Sequence, residues 1–122
     1  MDNKKLDLRS LALAKMSGFR HKTVTVPEWG GEVLLREPSA EAWAHWQDML
    51  KGDEELSISE KAHRNLRADV TLFIDVICDT EQQPVFSFDD AEEVRAIYGP
   101  VHSRLLGQAL ELITSSTEAK KK

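Results

Sequence analysis

The sequence offers almost nothing from which a disulfide, a metal site or a cofactor site is normally built. Cys78 is the single cysteine in 122 residues, so an internal disulfide is impossible and nothing points to an oxidising compartment. The four histidines include no pair at the i, i+4 spacing of a helical metal site, and structural zinc normally needs four Cys or His ligands at recognisable spacing. We therefore expect no metal and no cofactor.

Long apolar runs are also missing. No stretch approaches the roughly 20 apolar residues that a membrane-spanning helix needs. The short apolar run 11–14 is flanked by Arg9 and Lys15 and is too short for the apolar part of a signal peptide. We expect no membrane partner and a protein that stays in the cytoplasm, where it is made.

Positive charge is scarce as well. The chain has 16 Lys and Arg residues against 21 Asp and Glu residues, a formal net charge of −5. Residues 120–122 are all lysine, and without them the excess of acidic side chains rises from five to eight. An acidic body repels phosphate, so we expect no nucleic acid partner, and the small basic face of Lys61, Arg64 and Arg67 does not outweigh this charge. The charge favours a basic partner protein.

Catalytic motifs are absent too. The sequence contains no Gly-x-Ser-x-Gly turn and no glycine-rich phosphate loop, and Cys78 lies in an apolar run that would deactivate its thiol. The acidic clusters at 53–55 and 89–93 lack the spacing of a calcium-binding loop, and acids in a first helical turn stabilise the helix dipole. We expect a protein that is not an enzyme. These carboxylates are solvated or capping groups, with a docking site for a basic partner as the alternative.

What is present is periodic apolar sequence, which predicts a mainly α domain with one N-terminal β-hairpin, an α+β fold of about five helices. A chain of this length normally builds one core, so residues 1–122 are expected to form a single domain. The predicted helices cover 6–17, the segment between Ser39 and Gly52, 58–78, 90–98 and 100–113. Residues 114–122 are expected to form a flexible lysine-rich tail.

Several residues mark where these helices begin and end. Predicted N-caps are Ser39, Ser57 in a capping box with Glu60, and either Ser87 or Asp89. Gly18 is predicted to end the first helix in a left-handed conformation. The first helix carries one apolar stripe, formed by Leu8, Leu11, Ala12, Met16 and Phe19. Residues 85–86 are predicted to be a short extended piece.

The most specific local signal is the hairpin over 22–37. Its strands, 22–26 and 32–36, flank the segment 27–31, which reads Pro-Glu-Trp-Gly-Gly. Proline restricts one φ angle and the two glycines allow positive φ, as a tight reversal requires.

The candidate partner-binding residues are Trp29, Gly30, Gly31, Trp43 and Trp46. Tryptophan is favoured at binding hot spots. Trp43 and Trp46 are three residues apart and share a helix face, where packing in the core or against the hairpin is the main alternative. For Trp29 at the hairpin tip, packing and partner contact are equally good interpretations.

Four segments of the chain, 24–37, 67–79, 83–86 and 105–113, resemble the tail assembly chaperones of long-tailed, siphovirus-like bacteriophages or prophages. The resemblance covers about residues 20–113. It implies a chaperone that binds the tape measure protein, holds it soluble while the tail tube assembles around it, and is absent from the finished virion. It also implies the host cytoplasm as location, the tail tube protein as a further candidate partner, and a homo-oligomer.

The resemblance has one genetic implication. Many such phages make a longer form of this protein by ribosomal frameshifting, and lysine codons at 120–122 would supply a slippery run of adenines. A plain solubilising tail is the alternative. The second function hypothesis is a small acidic protein-binding adaptor or regulator unrelated to tails, and an enzyme ranks third.

Overall fold

The computed structural model describes the backbone of residues 3–14, 18–51 and 55–121, and the side chains of 8–14, 18–51 and 55–113. Five α-helices and three short strands are found in this part of the chain, and they confirm the predicted α+β class. Their order is α1 (Asn3–Leu13), β1 (His21–Val26), β2 (Gly31–Arg36), α2 (Ala40–Met49), α3 (Ile58–Val76), β3 (Ile77–Cys78), α4 (Ala91–Ile97) and α5 (Pro100–Lys121). Two 3₁₀ turns, Pro27–Trp29 and Phe88–Asp90, precede β2 and α4.

The centre of the fold is α3. It begins at the predicted capping box, in which the Glu60 N–H donates to Ser57 Oγ at 3.1 Å and the Ser57 N–H donates to Glu60 Oε1 at 2.9 Å. Its C-terminal half is buried on almost every side, because α2, α4 and α5 all pack against it. Phe73 is its largest fully buried side chain, and it contacts the rings of Phe86 and Tyr98.

The other predicted N-caps are also present. The Ala42 N–H donates to Ser39 Oγ at 3.1 Å, so Ser39 caps α2. Of the two alternatives before α4, it is Ser87 that caps, at the 3₁₀ turn that leads into the helix. α5 begins at Pro100, as predicted, and buries Leu105 and Ala109.

The hairpin is confirmed, with β1 and β2 antiparallel and Val26 opposite Gly31. Its turn uses only one of the two glycines in the predicted way. Gly30 has φ 70° and ψ 29°, a left-handed conformation, and its N–H donates to the Val26 carbonyl at 3.0 Å. Gly31 has a negative φ and is the first residue of β2.

A third strand was not predicted. The sequence places Ile77 and Cys78 at the end of the helix 58–78, but α3 ends at Val76, and these two residues pair with Leu35 and Leu34 of β2. The second edge of β2 would otherwise present unpaired backbone groups within the core, so pairing is favoured over another half-turn of helix. Cys78 is buried, as predicted.

The first helix differs from the prediction in extent and in burial. α1 ends at Leu13, so Gly18 does not cap it. Leu8 and Leu11, predicted to share an apolar stripe, are 69% and 64% exposed. The period of a helix creates such a stripe, but only a neighbouring element can cover it. Met16 lies outside the described residues, as does Gly52, the predicted end of α2.

Two other predictions concern the second half of the chain. Residues 85–86 do not form a strand; the adjacent Pro84 makes an isolated bridge to Cys78 instead. The backbone of α5 continues to Lys121, and the flexibility expected of 114–122 stays a prediction. No helix in the described ranges is long and apolar enough to cross a membrane.

Candidate partner-binding surface

The hairpin tip is held against α5 by a bidentate ion pair. Arg104 donates from Nη2 to Glu28 Oε1 at 2.9 Å and from Nη1 to Glu28 Oε2 at 3.0 Å. Two parallel bonds of this kind fix orientation as well as distance. The hydrogen bond from Arg104 is the main reason why the pKa of Glu28 falls from 4.5 to about 2, so the pair stays charged at neutral pH. Both side chains are exposed, so we assign the pair a role in positioning rather than in stability.

Trp29 lies next to this ion pair, in the 3₁₀ turn, and is 44% exposed. Its ring contacts the imidazole of His102, with centroids 5.3 Å apart. His102 in turn stacks on Tyr98 and meets the edge of Phe73, with centroid distances of 5.3 Å and 5.2 Å. Trp29 is therefore the outermost ring of an aromatic cluster that continues into the core.

A hydrogen bond fixes the orientation of the His102 ring in this cluster. Its Nδ1 accepts a hydrogen bond from the Gly99 N–H at 3.1 Å, which ties the ring to the start of α5. Burial lowers its pKa from the usual 6.5, because the charged form would lose solvation. The imidazole is therefore oriented by its own contacts and lies against the Trp29 ring, which remains 44% exposed.

Trp43 and Trp46 are placed differently. Their rings stack on each other with centroids 5.1 Å apart, and both are half-buried against the core. Trp46 Nε1–H donates to Asp69 Oδ1 at 3.3 Å, which links α2 to α3. Burial raises the pKa of Asp69, and the bond from Trp46 opposes that shift. Within the described side chains, no ring contact joins this pair to Trp29.

The structure therefore does not bring the five candidate residues together as one site. Trp29, Gly30 and Gly31 belong to the hairpin tip, whereas Trp43 and Trp46 belong to the α2–α3 contact. A Cβ added at Gly30 or Gly31 would meet no atom within 4 Å, so neither glycine is required for close packing, and only Gly30 is required by the turn because of its φ of 70°. Partner binding by any of the five stays a prediction.

Sequence reasoning missed a polar network at the N-terminus of α2. Asp75 accepts two bonds from the Arg36 guanidinium, both at 3.2 Å, and two from Ser39, from its N–H at 2.7 Å and its hydroxyl at 3.1 Å. The Phe19 ring covers Arg36, with Cζ 4.2 Å from the ring centroid. No local signal predicts this network, because Arg36 and Asp75 are 39 residues apart.

Beside this network lies a cleft of about 310 Å³, which we call the Phe88 cleft. It is lined by Ser39, Glu41, Ala42, His45, Asp75 and Phe88. The Phe88 side chain is 62% exposed at its mouth. The one sequence signal that could have indicated this position is an aromatic residue directly before Asp89 and Asp90.

Among the described residues, no three His, Cys, Asp or Glu side chains are grouped so that they could hold a metal ion. The exposed large apolar side chains of the described residues include Trp29, Val85, Phe88 and Ile97.

Comparison with known proteins identifies one family that this chain resembles. The family described as "Phage tail assembly chaperone" matches residues 7–122. A solved structure, described as "Structure of bacteriophage HK97 tail assembly chaperone", is 68% identical in sequence, with a TM-score of 0.81. The match covers 88% of this chain and 97% of that one. A search of curated protein sequences gave no match.

Proposed function

Since this chain belongs to the phage tail assembly chaperone family, we propose that it binds the tape measure protein and keeps it soluble while the tail tube assembles. The role is non-catalytic and is carried out in the host cytoplasm. The chaperone leaves before the virion is finished. The tail tube protein is a second partner that this role allows, and several copies of the chaperone act together.

The proposal rests on one observation, that Trp29 is exposed and held in a fixed orientation. The residue is 44% exposed, yet its turn is fixed by the Glu28–Arg104 ion pair and its ring rests on His102. A side chain that is already oriented loses little conformational entropy on binding, so more of its burial contributes to affinity. Tryptophan in such a position is a typical hot spot.

The charge of the chain supports the same role. A partner that exposes apolar helical surface aggregates unless that surface is covered. A chaperone that covers it with an aromatic anchor, and adds five net negative charges per copy, would make the complex more soluble. Modest contacts repeated along a long partner would give strong but reversible binding.

The test is co-expression of the chain with the tape measure protein of the same phage. We expect the tape measure protein to be insoluble alone and to co-purify with the chaperone. Trp29→Ala should reduce binding about tenfold or more, as expected for a hot spot. Val85→Ala is the matched control, because Val85 is 45% exposed, and it should leave binding unchanged.

Two results would contradict the proposal. If the tape measure protein is soluble by itself and does not bind the chain, the chaperone role is wrong and the adaptor hypothesis takes its place. If it binds but Trp29→Ala and Val85→Ala have equal effects, the hairpin tip is not the contact. Mass spectrometry of purified virions tests the expected absence of the chaperone from the finished particle.

A further inference from the structure

The Phe88 cleft has the size and lining for one long side chain. Its volume of about 310 Å³ lies at the lower end of the range found for ligand pockets. The Phe88 ring and the methyl group of Ala42 supply apolar surface, against which the methylene stem of a lysine or arginine can pack.

The floor of the cleft is rigid and its charge is already balanced. Asp75 is fixed by Arg36 and by two bonds from Ser39, and Ser39 also caps α2 through the Ala42 N–H. The negative charge of Asp75 is neutralised by Arg36, so Asp75 does not need a further cationic partner. Its contribution is a fixed shape.

The lining residue Glu41 carries a negative charge that is not balanced. Glu41 lines the cleft and Asp89 is adjacent to Phe88, and both are exposed. Among the described side chains, neither carboxylate forms an ion pair. The face of an aromatic ring attracts cations through its quadrupole, so the exposed Phe88 ring adds to the same preference.

We propose that the Phe88 cleft binds a lysine or arginine side chain of the tape measure protein. The stem of that side chain packs on Phe88, and its charged end lies near Glu41. This contact rests on the function proposed above and adds to it a second site with a defined chemistry, separate from the aromatic hairpin tip.

Other occupants fit less well. An anion would be repelled by Glu41 and Asp89. A purely apolar side chain would take Glu41 out of water without giving it a partner, which is unfavourable. The lysines at 120–122 of a second copy of this chain share the required chemistry, so the experiment has to separate them from the tape measure protein.

The experiment uses overlapping peptides that cover the tape measure protein of the same phage, with binding to the full chain measured by fluorescence anisotropy. For the basic peptides that bind, Glu41→Gln and Phe88→Ala should each raise the Kd about threefold, as expected for one exposed ion pair or one cation–π contact. Glu111→Gln is a matched charge control, and Ile97→Ala is a matched apolar control because Ile97 and Phe88 are both 62% exposed. Neither control should change the Kd.

A double-mutant cycle then identifies the contact itself. Replacing the bound lysine or arginine of the peptide with glutamine should abolish the effect of Glu41→Gln, because the two groups interact directly. Binding of the wild-type chain should also weaken as salt is raised from 50 to 300 mM, and binding of Glu41→Gln should weaken less.

The outcomes separate the two proposals. If the chain co-purifies with the tape measure protein but neither Glu41→Gln nor Phe88→Ala weakens any peptide, the cleft proposal is overturned and the chaperone function stands. The cleft proposal is also overturned if the control substitutions raise the Kd as much as Glu41→Gln and Phe88→Ala do. In an NMR titration with peptides, it is overturned if a peptide of residues 114–122, rather than a tape measure peptide, shifts the amide resonances of Ala42 and Phe88. If neither the tape measure protein nor its peptides bind, both proposals fall.

Discussion

Replacing Asp75 with alanine should destabilise the protein by about 3 kcal/mol, the lower end of the range for removing one partner of a buried ion pair. The substitution removes two bonds from Arg36 and two from Ser39 at once. The side chains of Arg36 and Asp75 are only 15% and 13% exposed, so water cannot fully replace the lost carboxylate.

The lower end of the range applies because Arg36 keeps other partners. Its Nη1 also donates to the Glu37 carbonyl at 2.8 Å, and the Phe19 ring remains over the guanidinium. Asp75→Asn retains one oxygen acceptor and should therefore cost less, about 1.5 kcal/mol, the usual contribution of a hydrogen bond to a charged group.

The assay is urea-induced unfolding followed by circular dichroism, with Glu111→Ala as the control for loss of an exposed carboxylate. The control should change the free energy of unfolding by less than about 0.5 kcal/mol. In a double-mutant cycle, Arg36→Ala and Asp75→Ala together should cost about 1.5 kcal/mol less than the sum of the single effects. A cost below about 1 kcal/mol for Asp75→Ala, or strict additivity in the cycle, would refute the idea that this network holds α3 to β2 and α2.

Three further predictions follow from single residues. Gly30→Ala should destabilise the protein by about 1 kcal/mol in urea unfolding, because alanine is strained at φ 70°, whereas Gly31→Ala should have almost no effect; equal effects would contradict this account of the turn. Burial lowers the folded-state pKa of His102 below 6.5, so the unfolded chain binds more protons and the urea midpoint should fall as the pH drops from 7 to 5. His102→Gln should flatten that dependence, and an unchanged slope would show that another group causes it. Burial raises the pKa of the Cys78 thiol, so Ellman's reagent should react with it only after unfolding, and fast reaction in the native protein would be the opposite result.

The predicted N-caps and the hairpin, which depend on contacts within a few residues, were correct, whereas the local prediction of a helix cap at Gly18 was wrong. Ser39 and Ser57 cap helices through bonds that span three residues, so the sequence carries all the information needed. The hairpin turn is local in the same sense, since Pro27 and Gly30 determine its backbone angles.

Predictions that needed the position of a distant element were incomplete or wrong. Residues 77–78 continue the apolar pattern of α3 without a glycine or proline between them, and only the edge of β2 makes them a strand. The stripe on α1 has helical spacing, but nothing in its own sequence tells whether another element covers Leu8 and Leu11.

The sequence by itself determined the acidic charge, the N-caps, the hairpin and the likeness to tail assembly chaperones, because composition and local hydrogen bonding do not depend on the rest of the fold. The tertiary structure decided which tryptophan is exposed and that Phe88 and Glu41 line one cleft. Burial and ion pairing between residues far apart in the chain exist only after the helices have packed, so no local pattern encodes them.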